Sequence, residues 1–139
     1  MRHFRARQPV LVLAVLWFVL YRDHTGVARV GLLAALLHEA GHTLAWLAMT
    51  RRLPVFRFSL AGVGLDVFAA RLTRRQTFLL ALAGPLTNFL LLGVTLWRMQ
   101  IAASYWGYFF AAANLITGAF NLLPVGRLDG RRMLECLLP

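Results

Sequence analysis

At 139 residues the chain fits one domain, and its 60% hydrophobic content and mean hydropathy of +0.66 lie well above a soluble globular protein. Fifteen arginines, no lysine and five acids give a formal charge of +10, but the arginines cluster at the ends of apolar segments. That placement points away from nucleic acid and toward a lipid bilayer. The single cysteine, Cys136, excludes an internal disulfide.

The opening MRHFRARQ is basic, and the apolar run from Pro9 to Tyr21 is shorter than the roughly 20 residues a spanning helix needs. No small-x-small cleavage pattern follows it. Segment 4–21 is therefore expected to be an uncleaved accessory anchor starting near Phe4, with Arg5 and Arg7 snorkelling to the headgroups. Tyr21 to Gly26, with Asp23 and His24, forms a short polar turn.

A second span is expected from Val27 to Met49, reading VARVGLLAALLHEAGHTLAWLAM. It carries His38-Glu39-Ala40-Gly41-His42. At about 3.6 residues per turn the two histidines stand one above the other on a single helix face, with Glu39 about 100° round from His38. Stacked imidazoles can hold one zinc ion while the neighbouring carboxylate takes a proton from water. HExxH alone is a loose pattern that suits a solvated patch equally well. Ionisable groups inside an apolar span are costly, however, and usually mark a site.

Residues 50–76 hold Arg51, Arg52, Arg57, Arg71, Arg74 and Arg75 against Asp66 alone, which assigns this connection, and the amino terminus with it, to the cytoplasm. Within it, Val55 to Asp66 combines β-branched and aromatic residues with Gly62 and Gly64, the pattern of a small β-hairpin. A third span is expected from Thr77 to Trp97 and a fourth from Ile101 to Leu123, joined by a turn on the outer side. The arginine-bearing tail then returns to the cytoplasmic side. The expected fold is an all-α polytopic membrane protein of about four transmembrane helices, one domain over 1–139, with a cytoplasmic-side hairpin between the second and third.

A catalytic zinc needs a third protein ligand and an open position. The histidine pair lies roughly 12 Å in from the cytoplasmic end of its helix at about 1.5 Å per residue, and Asp23 lies toward the opposite face. Asp66, Asp129 and Glu135 are all on the correct side. Asp129 is favoured because Asn121-Leu122-Leu123-Pro124 and Gly126 break the fourth helix and let the chain fold back into a cavity. A helix N-cap before Arg131 is its plainer explanation. In the third span, Gly84-Pro85 loosens the backbone, and Asn88 one turn on can hydrogen-bond in a dry cavity.

HEAGH, AGPLTN (Ala83 to Asn88) and NLLPVGRLDG (Asn121 to Gly130) resemble, in order and spacing, the three signatures of the site-2 protease family of intramembrane zinc metalloproteases. The resemblance covers about Val27 to Arg132 and looks closest to the compact bacterial, sporulation-type branch. It implies one zinc per chain held by His38, His42 and Asp129, with Glu39 as catalytic acid and base. Asn88 and Asn121 match the family's motif asparagines and would assist at the substrate or oxyanion. The implied activity is cleavage of a transmembrane segment of a membrane-protein substrate near the cytoplasmic face, in the bacterial cytoplasmic membrane with both termini inside. A regulatory membrane partner or a homo-oligomer stays open. Many relatives carry further helices or a regulatory domain not seen here, so a pseudoprotease or assembly factor that binds partner helices is the rival, with a metal transporter behind it. Glu39 discriminates, because neither rival needs a general base beside the histidines.

Overall fold

The computed structural model describes residues 9–52, 56–59, 62–65 and 72–138. In chain order these form helices α1 (Pro9–Arg22) and α2 (Val27–Thr50), strands β1 (Phe56–Ser59) and β2 (Gly62–Leu65), and helices α3 (Arg74–Met99), α4 (Tyr105–Asn121) and α5 (Asp129–Leu137).

Local chemistry sets the helix ends. Asp23 reaches forward from the α1–α2 turn, where its carboxylate accepts from the Arg29 backbone N–H at 3.0 Å and from the Thr25 hydroxyl at 3.2 Å. It thereby satisfies an otherwise orphaned donor in the first turn of α2. At the other end of α2, Arg51 takes a left-handed conformation (φ 52°) and its N–H closes on the Leu47 carbonyl. Thr73 and Gln76 form a reciprocal capping box at the start of α3, and the Ser104 hydroxyl accepts from Gly107 N–H to start α4.

Helices α2 and α3, of 24 and 26 residues, are long and apolar enough to cross a membrane. Only 28% of the apolar window of each is buried inside the protein. A core helix of a soluble protein hides most of such a window; here the apolar surface faces outward, as it does in lipid. Among the described residues only these two helices are long and apolar enough to cross, so the expectation of about four full-length spans is corrected there. The described part of α1 has 14 residues and α4 has 17, about 21 and 26 Å at about 1.5 Å per residue, both short of the roughly 30 Å hydrocarbon core. In α4 the reason is local, because Ser104 caps the helix three residues after the expected start and the chain turns at Leu122. The expected start of the first helix near Phe4 lies outside the described residues.

β1 and β2 pair antiparallel, with Phe56 opposite Leu65, Arg57 opposite Gly64, Phe58 opposite Val63 and Ser59 opposite Gly62. Helix α3 is the centre of the molecule and packs against α2, α4 and α5, while α2 also meets α4; α1 touches its neighbours lightly. Helix α4 brings the chain back to the end where α3 begins, and there the Arg74 guanidinium donates to the Leu138 carbonyl at 3.1 Å. The interior is unusual. Beside Ala34, Trp46, Leu80, Ala81, Met99 and Ala111, it buries Asp23, His38, His42, Asn88, Asn114 and Asp129, and two of its largest fully buried side chains are asparagines. Buried polar groups at membrane depth are costly unless they are partnered.

Candidate metal centre

Close approach of α2 and α3 builds the floor of the site. A Cβ on Gly41 would collide with the Thr87 hydroxyl and approach the Ala83 carbonyl, so the HEAGH glycine is what lets the two backbones come together. Gly84 answers from α3. A Cβ there would strike His42 Nε2 and the His38 ring, so the absent side chain leaves the space that the imidazole nitrogens occupy.

The third side arrives from α5. Leu122 N–H bonds back to Gly118, and Arg131 donates to the Gly126 carbonyl at 3.2 Å, folding residues 122–128 into a tight reversal. Gly126 adopts φ 60°, in the left-handed region where glycine carries no steric cost. Gly130 lies so close to the Leu122 carbonyl that no larger residue fits. Asp129, the first residue of α5, is thereby held against the histidine pair.

The two rings are nearly perpendicular, 85° between planes with centroids 4.8 Å apart. His38 Nδ1 lies 2.6 Å from Asn88 Oδ1 and His42 Nδ1 lies 2.8 Å from the Leu80 carbonyl oxygen. Both partners only accept, so each Nδ1 carries the hydrogen and donates it, and in the neutral ring each Nε2 presents a lone pair. These lone pairs converge. The two Nε2 atoms are 3.1 Å apart, and Asp129 Oδ2 is 3.0 Å from His38 Nε2 and 3.1 Å from His42 Nε2.

Three electron-pair donors at such separations repel unless positive charge, a proton or a metal ion, lies among them. Zinc bonds of about 2.0–2.1 Å in tetrahedral geometry place ligand atoms about 3.3 Å apart, close to what is seen. Two imidazoles and a carboxylate are also the donor set of an open zinc site. His38, His42 and Asp129 thus fit a zinc ion, and all three are buried. Burial pushes the Asp129 carboxyl up, and a proton standing on the Nε2 side of His38 and His42, which then donate to it, brings it down to about 2.

No family model matches the chain. A zinc metalloprotease from Methanocaldococcus jannaschii, MJ0392, is 26% identical over 111 residues, which is 76% of this chain and 32% of that protein. The solved site-2 protease from Methanocaldococcus jannaschii superposes with a TM-score of 0.68 at 23% identity, over 92% of this chain and 62% of that one. The fold is that of the site-2 proteases. The chain spans about a third of the curated relative's length and under two thirds of the solved chain.

On the site-2 protease fold the residues singled out in the sequence fall in different places. His38, His42 and Asp129 come together, and Glu39 is half-buried beside them. Asp129 is not an N-cap; Leu128 holds that position, and the carboxylate turns to the histidines instead. Glu135 is exposed and bridged to Arg131 at 2.8 Å, which removes it as a ligand. Asp66 lies outside the described residues. Asn88 departs from the oxyanion role, because it is fully buried and its amide N–H groups are both committed, to the Ala34 carbonyl at 3.2 Å and to Asn114 Oδ1 at 2.9 Å. Its oxygen serves His38. Asn121 donates to the Thr117 carbonyl at 2.9 Å, one turn back on α4, and forms no hydrogen bond to the cluster.

Sequence reasoning passed over Asn114 and Gly84's contact with the rings. Asn114 did carry a signal, since it is a polar residue inside an apolar run, seven positions before Asn121, two helical turns along the same face.

Proposed function

We propose that this chain is the core of a zinc metalloendopeptidase that hydrolyses a peptide bond within, or at the cytoplasmic border of, a substrate's transmembrane segment. The convergence of two imidazole lone pairs and a buried carboxylate oxygen, with Glu39 adjacent, carries the reading. Zinc, when bound, supplies a Lewis acid that polarises the scissile carbonyl and lowers the pKa of water. His38 and His42 offer their Nε2 atoms and Asp129 its Oδ2. Glu39 stands in the helical register directly after His38, half-exposed where the other three are buried, so it can meet water and substrate. It accepts the proton of the attacking water and delivers it to the leaving amine.

The arginine-rich ends of α2 and α3 and the return of α4 to that same end support a cytoplasmic placement for residues 51–73 and for α5. In this reading α4 is a short third crossing in a bacterial cytoplasmic membrane, and the chain belongs with the compact sporulation-type branch. A helical substrate hides its carbonyls in its own hydrogen bonds and must unwind before attack. Among the described residues β1 and β2 pair only with each other, which supports capture of the unwound strand by β-augmentation.

The test compares wild type with Glu39→Gln in one detergent, by zinc content and by cleavage of a model single-span substrate. The variant keeps zinc and loses about 10² to 10⁴ in rate, the usual contribution of a general base. Equal cleavage by the two proteins would sink the assignment. Zinc and substrate binding by wild type without any cleavage would favour the pseudoprotease.

A further inference from the structure

Asn88 and Asn114 are both 0% exposed, and their hydrogen bonds run in one direction. Asn114 Nδ2 donates to the Phe110 carbonyl at 2.8 Å, one turn back on α4. A backbone carbonyl can only accept, so the amide cannot flip, and Asn114 Oδ1 must face Asn88. There it accepts from Asn88 Nδ2 at 2.9 Å, while the same nitrogen donates its second hydrogen to the Ala34 carbonyl at 3.2 Å. The Asn88 amide is now fixed as well. Its Oδ1 turns to His38 Nδ1 at 2.6 Å and requires a hydrogen there.

We infer that Asn114 is a positioning residue that acts through Asn88 to hold His38 in the Nδ1–H tautomer, aiming the Nε2 lone pair at the metal. The polarity originates in a backbone carbonyl of α4 and passes through two amides on separate helices to a ring on α2. An imidazole free to choose would place its hydrogen on Nε2 for part of the time, toward Asp129, and in that form it cannot ligate. Outer-shell partners of ligating histidines commonly affect metal affinity by about 10- to 100-fold. Asn114, one residue further out, belongs at the lower end of that range. The inference rests on reading the cluster as a metal centre, but the relay itself leaves a trace in the metal-free protein.

The experiment uses the full chain in detergent with ¹⁵N-labelled histidine rings. In metal-free wild type, His38 shows a fully protonated Nδ1, whichever atom of the cluster holds the proton that separates the three donors. Asn114→Leu, close in volume but without an acceptor, gives a mixture of tautomers and about tenfold weaker zinc binding in competition with a chromogenic chelator. Asn114→Asp, whose carboxyl stays neutral in so buried a position, accepts from Asn88 and donates to Phe110; it restores one tautomer and brings zinc affinity within about twofold of wild type. In an Asn88→Ala background, Asn114→Leu changes neither readout. A merely structural role would lower the melting temperature and leave the tautomer alone.

The proposal is overturned if Asn114→Leu retains a single Nδ1–H tautomer, or if it weakens zinc equally with and without Asn88. Should Asn114→Leu fail to fold, Asn114→Ala removes both bonds without added bulk and is read in its place. Wild type that binds no zinc would defeat the proposed function, while the ring signals of the metal-free protein still decide the relay.

Discussion

Asp129 Oδ2 lies 3.0 Å from His38 Nε2, although the two residues are 91 positions apart in the chain. The histidines share one helix, so this contact is what turns a helical pair into a three-sided centre. Asp129→Ala should therefore abolish stoichiometric zinc, while Glu135→Ala, which changes only an exposed bridge, should leave it intact. At zinc about 100-fold above Kd, wild type gains about 2.7 kcal/mol of stability. Thermal melts with and without zinc should show that gain in wild type and in Glu135→Ala, and lose it in Asp129→Ala. Retention of the gain by Asp129→Ala would remove Asp129 from the ligand set.

Gly84 offers a steric test of the same centre. A methyl group there collides with His42 Nε2 and the His38 ring, and overpacking of this kind costs about 1–3 kcal/mol. Gly84→Ala should lower the melting temperature and displace the rings enough to weaken zinc. Gly93→Ala, at a position in the same helix with open space around it, should do neither. Equal behaviour of the two variants would show that α3 shifts aside without consequence for the site.

The sequence made the centre more legible than the membrane architecture. HEAGH announces itself because both histidines lie on one helix and their spacing encodes the geometry directly. Asp129 was narrowed by the helix break around Pro124, a local signal for a distant meeting. Asn88 was visible as a polar intruder in a span, but its role was not, because direction in a hydrogen-bond chain depends on which carbonyls face it. Among the described residues the number of full-length spans was overcounted at α4, because apolar composition runs on past the points where Ser104 and Leu122 end that helix. Hydropathy does not see caps.

Acid should expose the contribution of Asp23. Burial pushes its carboxyl pKa up, but the hydrogen bonds from Arg29, Ala28, Thr25 and Gly26 outweigh this, and the pKa lies below the ordinary 3.8. A depressed folded-state pKa means a contribution fully present above the unfolded value and lost as pH falls through the folded one. The melting difference between wild type and Asp23→Ala should hold steady at neutral and mildly acid pH and shrink below 3.8. A difference that grew in acid would reverse the assignment.

The orientation in the bilayer is open to labelling. With Cys136→Ala as background, Arg74→Cys should react with an impermeant maleimide in inverted vesicles and resist it in intact spheroplasts. Reaction only from the outside would invert the topology, and with it the side on which the proposed function places cleavage.

The distance in sequence between His38 and Asp129 also has a consequence in time. At about 5–20 residues per second, the ribosome delivers the carboxylate roughly 5 to 20 s after the first histidine. During that interval the nascent protein holds two imidazoles on a helix that has already met its membrane, with no anionic ligand to complete their coordination. The centre cannot close until the reversal after Asn121 has been made and α5 has docked. Any hydrolytic capacity is therefore withheld from the growing chain and appears only when α5 has emerged and folded back.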